Sequence, residues 1–318
     1  MLDWKSDAAV ATLRIRAETL AKIRIFFAAK NVLEVETPLL AHSTVTDVYI
    51  QSLAVNRSAA TSEETLYLQT SPEFSMKRLL GIGIGPIYQI CKAFRQGESS
   101  KQHNPEFTML EWYQPGYSMN DLMDEVEQLV KSLLNCAAVS RISYRDIFLQ
   151  HFDIDPHSIS LEELGELANR KMDLSSDDLD KTDFLQLLFG KFIEAELPEN
   201  CLIYDFPADQ AALAVIEEDK FGVSVAKRFE LFCNGMEIAN GYFELLDPVE
   251  QRARFEADIE RRHEQKLPNY AADEKLIAAM ESGIPACAGV ALGIDRLIML
   301  LAKIKNISEV ISFTTDRA

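Results

Sequence analysis

Residues 86–113, PIYQICKAFRQGESSKQHNPEFTMLEWY, constrain the fold more than any other stretch of the chain. An apolar run reaches Phe94 and is followed at once by Arg95. A polar connector then ends at His103-Asn104-Pro105, and a second run spans Phe107 to Tyr113. Two β-type runs around a turn-rich connector predict an antiparallel strand, loop and strand. Side chains alternate along a strand, so Phe107, Met109, Glu111 and Tyr113 share one face, as do Gln89, Cys91, Ala93 and Arg95. One sheet surface thereby collects an arginine, an aromatic ring, a carboxylate and a phenol. That set suits a phosphate, a purine and an ammonium group.

From Ala9 to Lys30, Leu13, Ala17, Leu20, Ile23 and Phe27 recur at spacings of three and four, predicting an amphipathic helix that Asn31 stops. VLEVETPLL follows as a strand, in which Pro38 suits an edge or an interface better than a central position. In TSPEFSMKRLL (70–80) Ser71 reads as an N-cap, Pro72 as the first helical residue and Glu73 as a first-turn acid. From pattern alone the helix dipole explains Glu73 as well as a ligand does. GIGIGP (81–86) follows a helix rather than a strand, which argues against a dinucleotide loop and for a flexible connection.

Residues 118–135 carry another amphipathic helix. Residues 141–205 turn acidic and loop-rich, with helices at SLEELGELANR, capped by Ser160 and Glu163, and at DFLQLLFGKFIEAEL, stopped by Pro198. This range reads as an inserted helical subdomain, and its acidic run DLSSDDLDKTD as a solvated linker.

VAKRFELFCNGMEIANGYFELL (225–246) contains Asn234-Gly235, a strong hairpin signal. With those two residues as the loop, Phe232 faces Glu237 and Glu230 faces Ala239. Glu230 and Glu237 then form a diagonal pair on one face, about 7–8 Å apart. Such a pair suits Mg2+, and suits an exposed polar strand face equally well. Strict alternation sends Glu244 to the other face with Asn240 and Tyr242, and a bulge at Gly241 is expected to unite the two sets. Asp247-Pro248-Val249-Glu250 starts a helix running to about Lys266, and Asp273 to Ser282 form the next. CAGVALGIDRLIMLLAK (287–303) joins a glycine-interrupted strand to an apolar helix. Gly289 and Gly293 let a ligand approach the backbone closely. Arg296 falls in the first turn of that helix, where the dipole disfavours a cation unless something anionic compensates.

Composition removes other classes. A chain of 318 residues supports one large core or two ordinary domains. No apolar run approaches the ~20 residues that a membrane helix needs. MLDWKSDAAV lacks a basic-then-apolar signal, so no membrane and a cytoplasmic location are expected. Cys91, Cys136, Cys201, Cys233 and Cys287 show neither close pairing nor metal-type spacing, which fits reduced thiols. The net charge of −18 disfavours a polyanionic RNA partner, the largest basic group being Arg252, Arg254, Arg261 and Arg262. ATP is not disfavoured in the same way, because a pocket can be locally positive.

Taken in order, these segments resemble the catalytic domain of class II aminoacyl-tRNA synthetases, most closely the lysyl-tRNA synthetases, along nearly the whole chain. VLEVETPLL resembles motif 1, FRQGE through HNPEFTMLEWY motif 2, and GVALGIDR motif 3. TSPE and FELFCNGMEIANGYFEL resemble the stretches that hold the amino acid and the metal. The resemblance implies an α+β fold, an antiparallel sheet flanked by helices in a single domain over 1–318, with the helical insertion at about 141–205, dimerising through motif 1. Lysyl-tRNA synthetases carry an N-terminal anticodon-binding domain, whereas here the motif 1 helix starts within the first residues. Ala291 and Ser71 also stand where those enzymes carry glycine and alanine, which implies a slightly altered lysine as substrate. Both departures are similar to the bacterial family that attaches β-lysine to a lysine of elongation factor P.

The implied activity is ATP-dependent formation of an adenylate of lysine or (R)-β-lysine, followed by transfer to elongation factor P, with no tRNA. The alternatives are a stand-alone lysyl-tRNA synthetase-like enzyme that charges tRNA or a small amine, and a catalytically dead regulatory subunit. The resemblance assigns catalysis to Arg95 and Arg296. ATP would be held by Arg95, Gln96, Gly97, His103, Asn104, Phe107, Glu237, Ile238, Gly293 and Arg296, with Phe107 and Arg296 sandwiching adenine. Mg2+ would sit on Glu230 and Glu237. The amino acid would be held by Ser71, Pro72, Glu73, Glu111, Tyr113, Asn240, Glu244 and Ala291. The motif 2 glutamate falls one place late, at Glu98, so either Glu98 shifts in or a backbone contact from Gly97 replaces it.

Overall fold

The computed structural model describes residues 4–59, 62–136, 138–172 and 179–318. Residues 173–178, the first six of the acidic run DLSSDDLDKTD, lie outside the described residues. In chain order the elements are α1 (Val10–Ala29), β1 (Leu33–Glu34), β2 (Leu40–Ala41), β3 (Ala54–Ala59), β4 (Ser62–Leu68), α2 (Glu73–Gly81), β5 (Ile87–Phe94) and β6 (Glu106–Pro115). There follow α3 (Met119–Leu134), β7 (Ser140–Ser143), α4 (Tyr144–Phe152), α5 (Leu161–Met172), α6 (Lys181–Leu188), β8 (Asn200–Pro207), β9 (Ile216–Glu218) and β10 (Ser224–Cys233). The chain then runs through β11 (Met236–Phe243), α7 (Pro248–Glu264), α8 (Glu274–Gly283), β12 (Cys287–Gly293) and α9 (Ile294–Ala302).

A nine-stranded sheet in the order β1-β5-β6-β12-β11-β10-β8-β7, with β9 beside β10, forms the centre. Its pairings are antiparallel except β1 with β5 and β7 with β8. A three-stranded sheet, β2-β4-β3, stands apart. The sheet with its helices is the α+β architecture expected.

Alternation decides the two faces. Leu110 and Trp112 of β6 enter an apolar layer with α1, α3 and α9. There Phe27 stacks on Tyr88 with ring centroids 4.4 Å apart and meets Trp112 edge-on at 5.3 Å. Glu111 and Tyr113 point to the other face, which α2, α7 and α8 cover partly through Met76, Leu80, Phe255 and Leu276. That uncovered face holds the cavity described below. Burying the aliphatic and aromatic side chains of the first layer contributes about 1.5–3 kcal/mol for each fully buried large one. Among the described residues, no helix is long and apolar enough to cross a membrane.

Several expectations shift in detail. VLEVETPLL is two short strands, β1 at the edge of the large sheet and β2 in the small one, separated by Pro38. Helix α2 begins at Glu73 with Pro72 at the cap, one place later than Ser71 predicts, although the Ser71 hydroxyl still accepts the Glu73 N–H at 3.1 Å. Residues 141–205 do carry helices α4 to α6, but nearly all of β7 and most of β8 fall in the same range and join the central sheet.

The largest change concerns the hairpin. Phe232 faces Glu237 as expected, but the register slips between Leu231 and Phe232, so Glu230 faces Asn240 rather than Ala239. The bulge therefore lies at Ile238, not at Gly241. It reverses alternation early enough to put Glu237, Asn240, Tyr242 and Glu244 along one face with Glu230. Gly241 has a separate cause: a Cβ there would stand 2.3 Å from the Phe229 ring and 3.0 Å from Val290. Gly241→Ala is expected to destabilise the fold by about 1–3 kcal/mol through overpacking. A lowered urea midpoint with an unchanged slope would show it.

Candidate active site

A cavity of about 1790 Å3 lies on the free face of the sheet, over β6, β12, β11 and β10, walled by α2, α7 and the connector after Arg95. Its two ends differ in chemistry.

At one end three carboxylates meet. Glu111 is buried and accepts hydrogen bonds from the Tyr113 hydroxyl at 2.6 Å and the Ser71 hydroxyl at 2.7 Å. Helix α2 carries Glu73, and one turn later Lys77, whose Nζ lies 2.7 Å from Glu73 and 2.5 Å from Glu244. Lys77 and Glu244 are only 1% and 2% exposed, so this ion pair is shielded from solvent. Burial acts to lower the Lys77 pKa, but Glu244 and Glu73 outweigh it and hold the ammonium charged. Burial pushes Glu111 up to about 7, with the Glu73 charge adding to it against Tyr113, Ser71 and Lys77. Burial likewise pushes Glu244 up to about 8, against the pull of Lys77. With Glu73 also on Lys77, the ammonium keeps a partner when Glu244 takes a proton.

Gly289 makes room for this end. A Cβ there would stand 2.3 Å from the Tyr113 ring and 2.4 Å from Glu244. The glycine thus serves close packing of the chain's own side chains. Gly293, also expected to admit a ligand, would place a Cβ no closer than 3.8 Å to the Arg296 side chain, so close approach does not require it. Asn240 and Ala291 are paired across the strands, and Ala291 also pairs with Glu111. The Asn240 Oδ1 is buried and has no protein partner, an acceptor left for a ligand.

At the other end arginines dominate. The Arg95 guanidinium lies 5.2 Å from the Phe107 ring centre and 3.6 Å from Glu98, while its buried Nε has no partner. Glu98 therefore reaches the motif 2 arginine despite its displaced position. Arg296 donates to the Glu237 carbonyl at 2.8 Å, and its Nη2 lies 2.6 Å from His103 Nε2. A guanidinium only donates, so Nε2 accepts and the proton of the neutral ring sits on Nδ1, 2.8 Å from the Ser100 hydroxyl. Burial, then Arg296, lowers the His103 pKa, in keeping with that neutral form.

Some predicted residues are placed elsewhere. Gln96 and Gly97 are exposed and do not line the cavity, nor does Pro72. Asn104 lines it, but its amide is spent on the Glu106 carbonyl at 2.6 Å and Thr315 at 3.1 Å, so it fastens the connector to the C-terminal segment. Ile238 lines the cavity as the bulged residue. The basic group of α7 is not a free patch. Arg252 pairs with Glu274, Arg254 with Glu250, Arg261 with Asp180, and Arg262 is fully buried against backbone carbonyls of Asp47 and Pro268.

Glu230 and Glu237 differ as metal ligands. Arg228 Nη2 lies 2.5 Å from Glu230, and burial pushes that carboxyl up to about 7. Glu237 is 41% exposed and stands 3.6 Å from Arg296. Among the described residues, no three His, Cys, Asp or Glu side chains converge for a metal. Oxygen donors supplied one or two at a time fit Mg2+, which is commonly completed by phosphates and water.

Sequence reading missed Lys77 and Arg228. The signal for Lys77 is its place between Met76 and Leu80 on the buried stripe of α2, four residues after Glu73. A lysine on an apolar stripe needs a buried partner.

The chain also resembles known proteins along its whole length. A family profile described as tRNA synthetases class II (D, K and N) matches residues 1–317. A protein of Edwardsiella ictaluri named elongation factor P (R)-β-lysine ligase is 47% identical over 326 residues, covering 100% of this chain and 99% of its own. Proteins of the same name from Pectobacterium carotovorum and Hamiltonella defensa are 45% and 44% identical, each covering 99% of this chain and 98% of its own.

The raised carboxyls have a pH consequence. A carboxyl whose folded pKa lies above its unfolded value near 4.5 binds a proton in the folded protein first. Its contribution to stability is fully present below 4.5 and is lost as the pH rises through about 7 for Glu111 and about 8 for Glu244. A bound ammonium reverses this by stabilising the ionised form. The rise in Tm caused by a saturating diamino acid is expected to be larger at pH 8 than at pH 6, with protons released on binding near pH 7. Calorimetry in two buffers of different ionisation enthalpy checks the release; proton uptake would contradict it.

Proposed function

Because the chain belongs to the class II tRNA synthetase family of the D, K and N type, we propose that it activates a diamino acid, lysine or (R)-β-lysine, as its adenylate and transfers the acyl group to a lysine of elongation factor P. The observation that carries this reading is the juxtaposition of a three-carboxylate pocket with an arginine-lined cleft in one cavity. The full-length likeness to proteins named for that ligation supports the acceptor.

In the first step a substrate carboxylate oxygen bonds to the α-phosphorus of ATP and the bond to pyrophosphate breaks. Positioning and charge neutralisation carry such a displacement. Arg95 holds the α-phosphate in its fork, with its free Nε as a further donor. Phe107 and Arg296 enclose the adenine, a cation over a ring being worth about 0.5–2 kcal/mol. His103 holds Arg296 in place from the connector. Glu237, and Glu230 once released from Arg228, would hold Mg2+, which would supply charge neutralisation at the phosphates. Glu111, with Tyr113, and Glu73 and Glu244 receive the two ammonium groups, and Asn240 accepts a hydrogen bond from one of them. In the second step the neutral amine of the acceptor lysine bonds to the acyl carbon. It loses a proton, and AMP leaves.

Two copies pair through the motif 1 region. Ile25, Leu33, Leu39 and Leu40 are exposed there, at 69%, 49%, 40% and 44%, beside an edge strand with one partner. A cytoplasmic site of action follows from the acceptor, and the pairing of Arg252, Arg254 and Arg261 with carboxylates supports a reading without tRNA.

Incubation with ATP, (R)-β-lysine and purified elongation factor P is expected to add one acyl mass to one lysine. Efficient tRNA charging without that mass change overturns the acceptor, and no ATP–pyrophosphate exchange with any amino acid returns the protein to a non-catalytic role. Arg296→Ala is expected to slow the exchange about 10-fold to 100-fold, the range of one lost charge-assisted hydrogen bond of about 1.5–3 kcal/mol. A variant as fast as the wild type would remove Arg296 from the site.

A further inference from the structure

Lys77 lies buried behind the carboxylate end of the cavity, on Glu73 and Glu244 of its lining, and the adenylation scheme gives it no part. It is 1% exposed, 2.7 Å from Glu73 and 2.5 Å from Glu244. Glu111 receives only hydroxyl donors, from Ser71 and Tyr113. The charges can be counted from these contacts. With all three carboxyls ionised, Glu73, Glu111 and Glu244 supply three negative charges and Lys77 one positive, leaving room for two further positive charges. The neighbouring arginines do not enter the count, since Arg228 is paired with Glu230, Arg95 with Glu98, and Arg78 is exposed to solvent.

We infer that Lys77 is a positioning and specificity residue of the amino-acid pocket. It holds Glu73 and Glu244 together from below and sets a charge deficit of two, which a diamino acid fills and a monoamino acid does not. The inference deepens the reading of this site as a diamino-acid pocket and rests on it. Physically, an unpaired buried carboxylate costs several kcal/mol. A ligand with one ammonium would leave one carboxyl unpaired or holding a proton, and a pocket without Lys77 would do so even with the right ligand. The lysine stem also fixes where the two carboxylates stand, because α2 and the segment after β11 have no other ion pair between them among the described residues.

The test is ATP–pyrophosphate exchange with lysine and with (R)-β-lysine, comparing wild type, Lys77→Met and Lys77→Ala. Methionine fills the volume of the stem without the charge. It is expected to raise KM for the diamino acid tenfold or more while KM for ATP stays within twofold, the latter reporting an intact fold. In Lys77→Ala, added methylammonium or ethylammonium is expected to restore part of the lost KM, and neither ion should affect Lys77→Met. Unchanged KM for the diamino acid in Lys77→Met overturns the inference. So does a rise in both KM values that no amine rescues in Lys77→Ala, since that is what a purely structural lysine would give. If the wild type itself exchanges with neither diamino acid, the reading of the activity fails instead.

Discussion

One buried ammonium, shared between a helix and the end of a strand, organises the carboxylate end of the cavity. Three carboxylates on one sheet face would repel each other and favour protonation, and a carboxylic acid is a poor partner for a cationic ligand. Lys77 relieves two of them, and hydroxyls from Ser71 and Tyr113 relieve the third. The position of α2 then matters for more than packing. The helix brings Glu73 and Lys77 on its inward stripe, and Ser71 immediately before it reaches both the Glu73 N–H and Glu111. A shift of α2 along its axis would break these contacts at once. The apolar side chains Met76 and Leu80 on the same stripe hold it in place.

The arginine end is built by a different device, contacts between residues far apart in the chain. Asp295, next to Arg296, accepts the Thr108 N–H at 2.6 Å and is paired with Arg16 of α1. Thr108 follows Phe107, so this carboxylate fixes the start of α9 against the strand that carries the aromatic ring. It also answers the dipole problem of a cation in a first helical turn, since the acid is one residue away. Arg16 additionally bonds the Val310 carbonyl at 3.1 Å and Asn104 bonds Thr315, so the C-terminal segment is tied to the same frame.

These two ends explain what could be read from the chain beforehand. Strand alternation over 87–94 and 106–115 was legible because it depends only on neighbours two residues apart, and it delivered Phe107, Glu111 and Tyr113 on one face. The Asn234-Gly235 turn was legible for the same reason. The bulge at Ile238 was not, because an isoleucine carries no local mark of an extra residue, whereas Gly241 does; the glycine answers to the Phe229 ring on a neighbouring strand. Asn104 read as a ligand for nucleotide because its partner Thr315 lies 211 residues away. Lys77 was within reach of local pattern, as a cation on an apolar stripe, yet its second partner Glu244 is fixed only by the sheet.

The charge of −18 and an arginine-lined cleft are reconciled by the pairing inside the cavity. Three arginines of the cleft each have a carboxylate: Arg95 has Glu98, Arg228 has Glu230, and Arg296 has Glu237. These three guanidinium charges are each balanced by a neighbouring carboxylate, so the ligand-free protein does not bear their full mutual repulsion. On the proposed reading, phosphates arriving in the cleft compete for these guanidinium groups, and an anion with a planar, bidentate match competes well. Each arginine that turns to a phosphate releases a carboxylate of the same cavity. The released acids Glu230 and Glu237 are hard oxygen donors beside the incoming phosphates, which is the setting that Mg2+ prefers. Nucleotide and metal binding are thereby linked through an exchange of ion pairs, and an acidic protein needs no basic surface to accept a polyanion at one buried place.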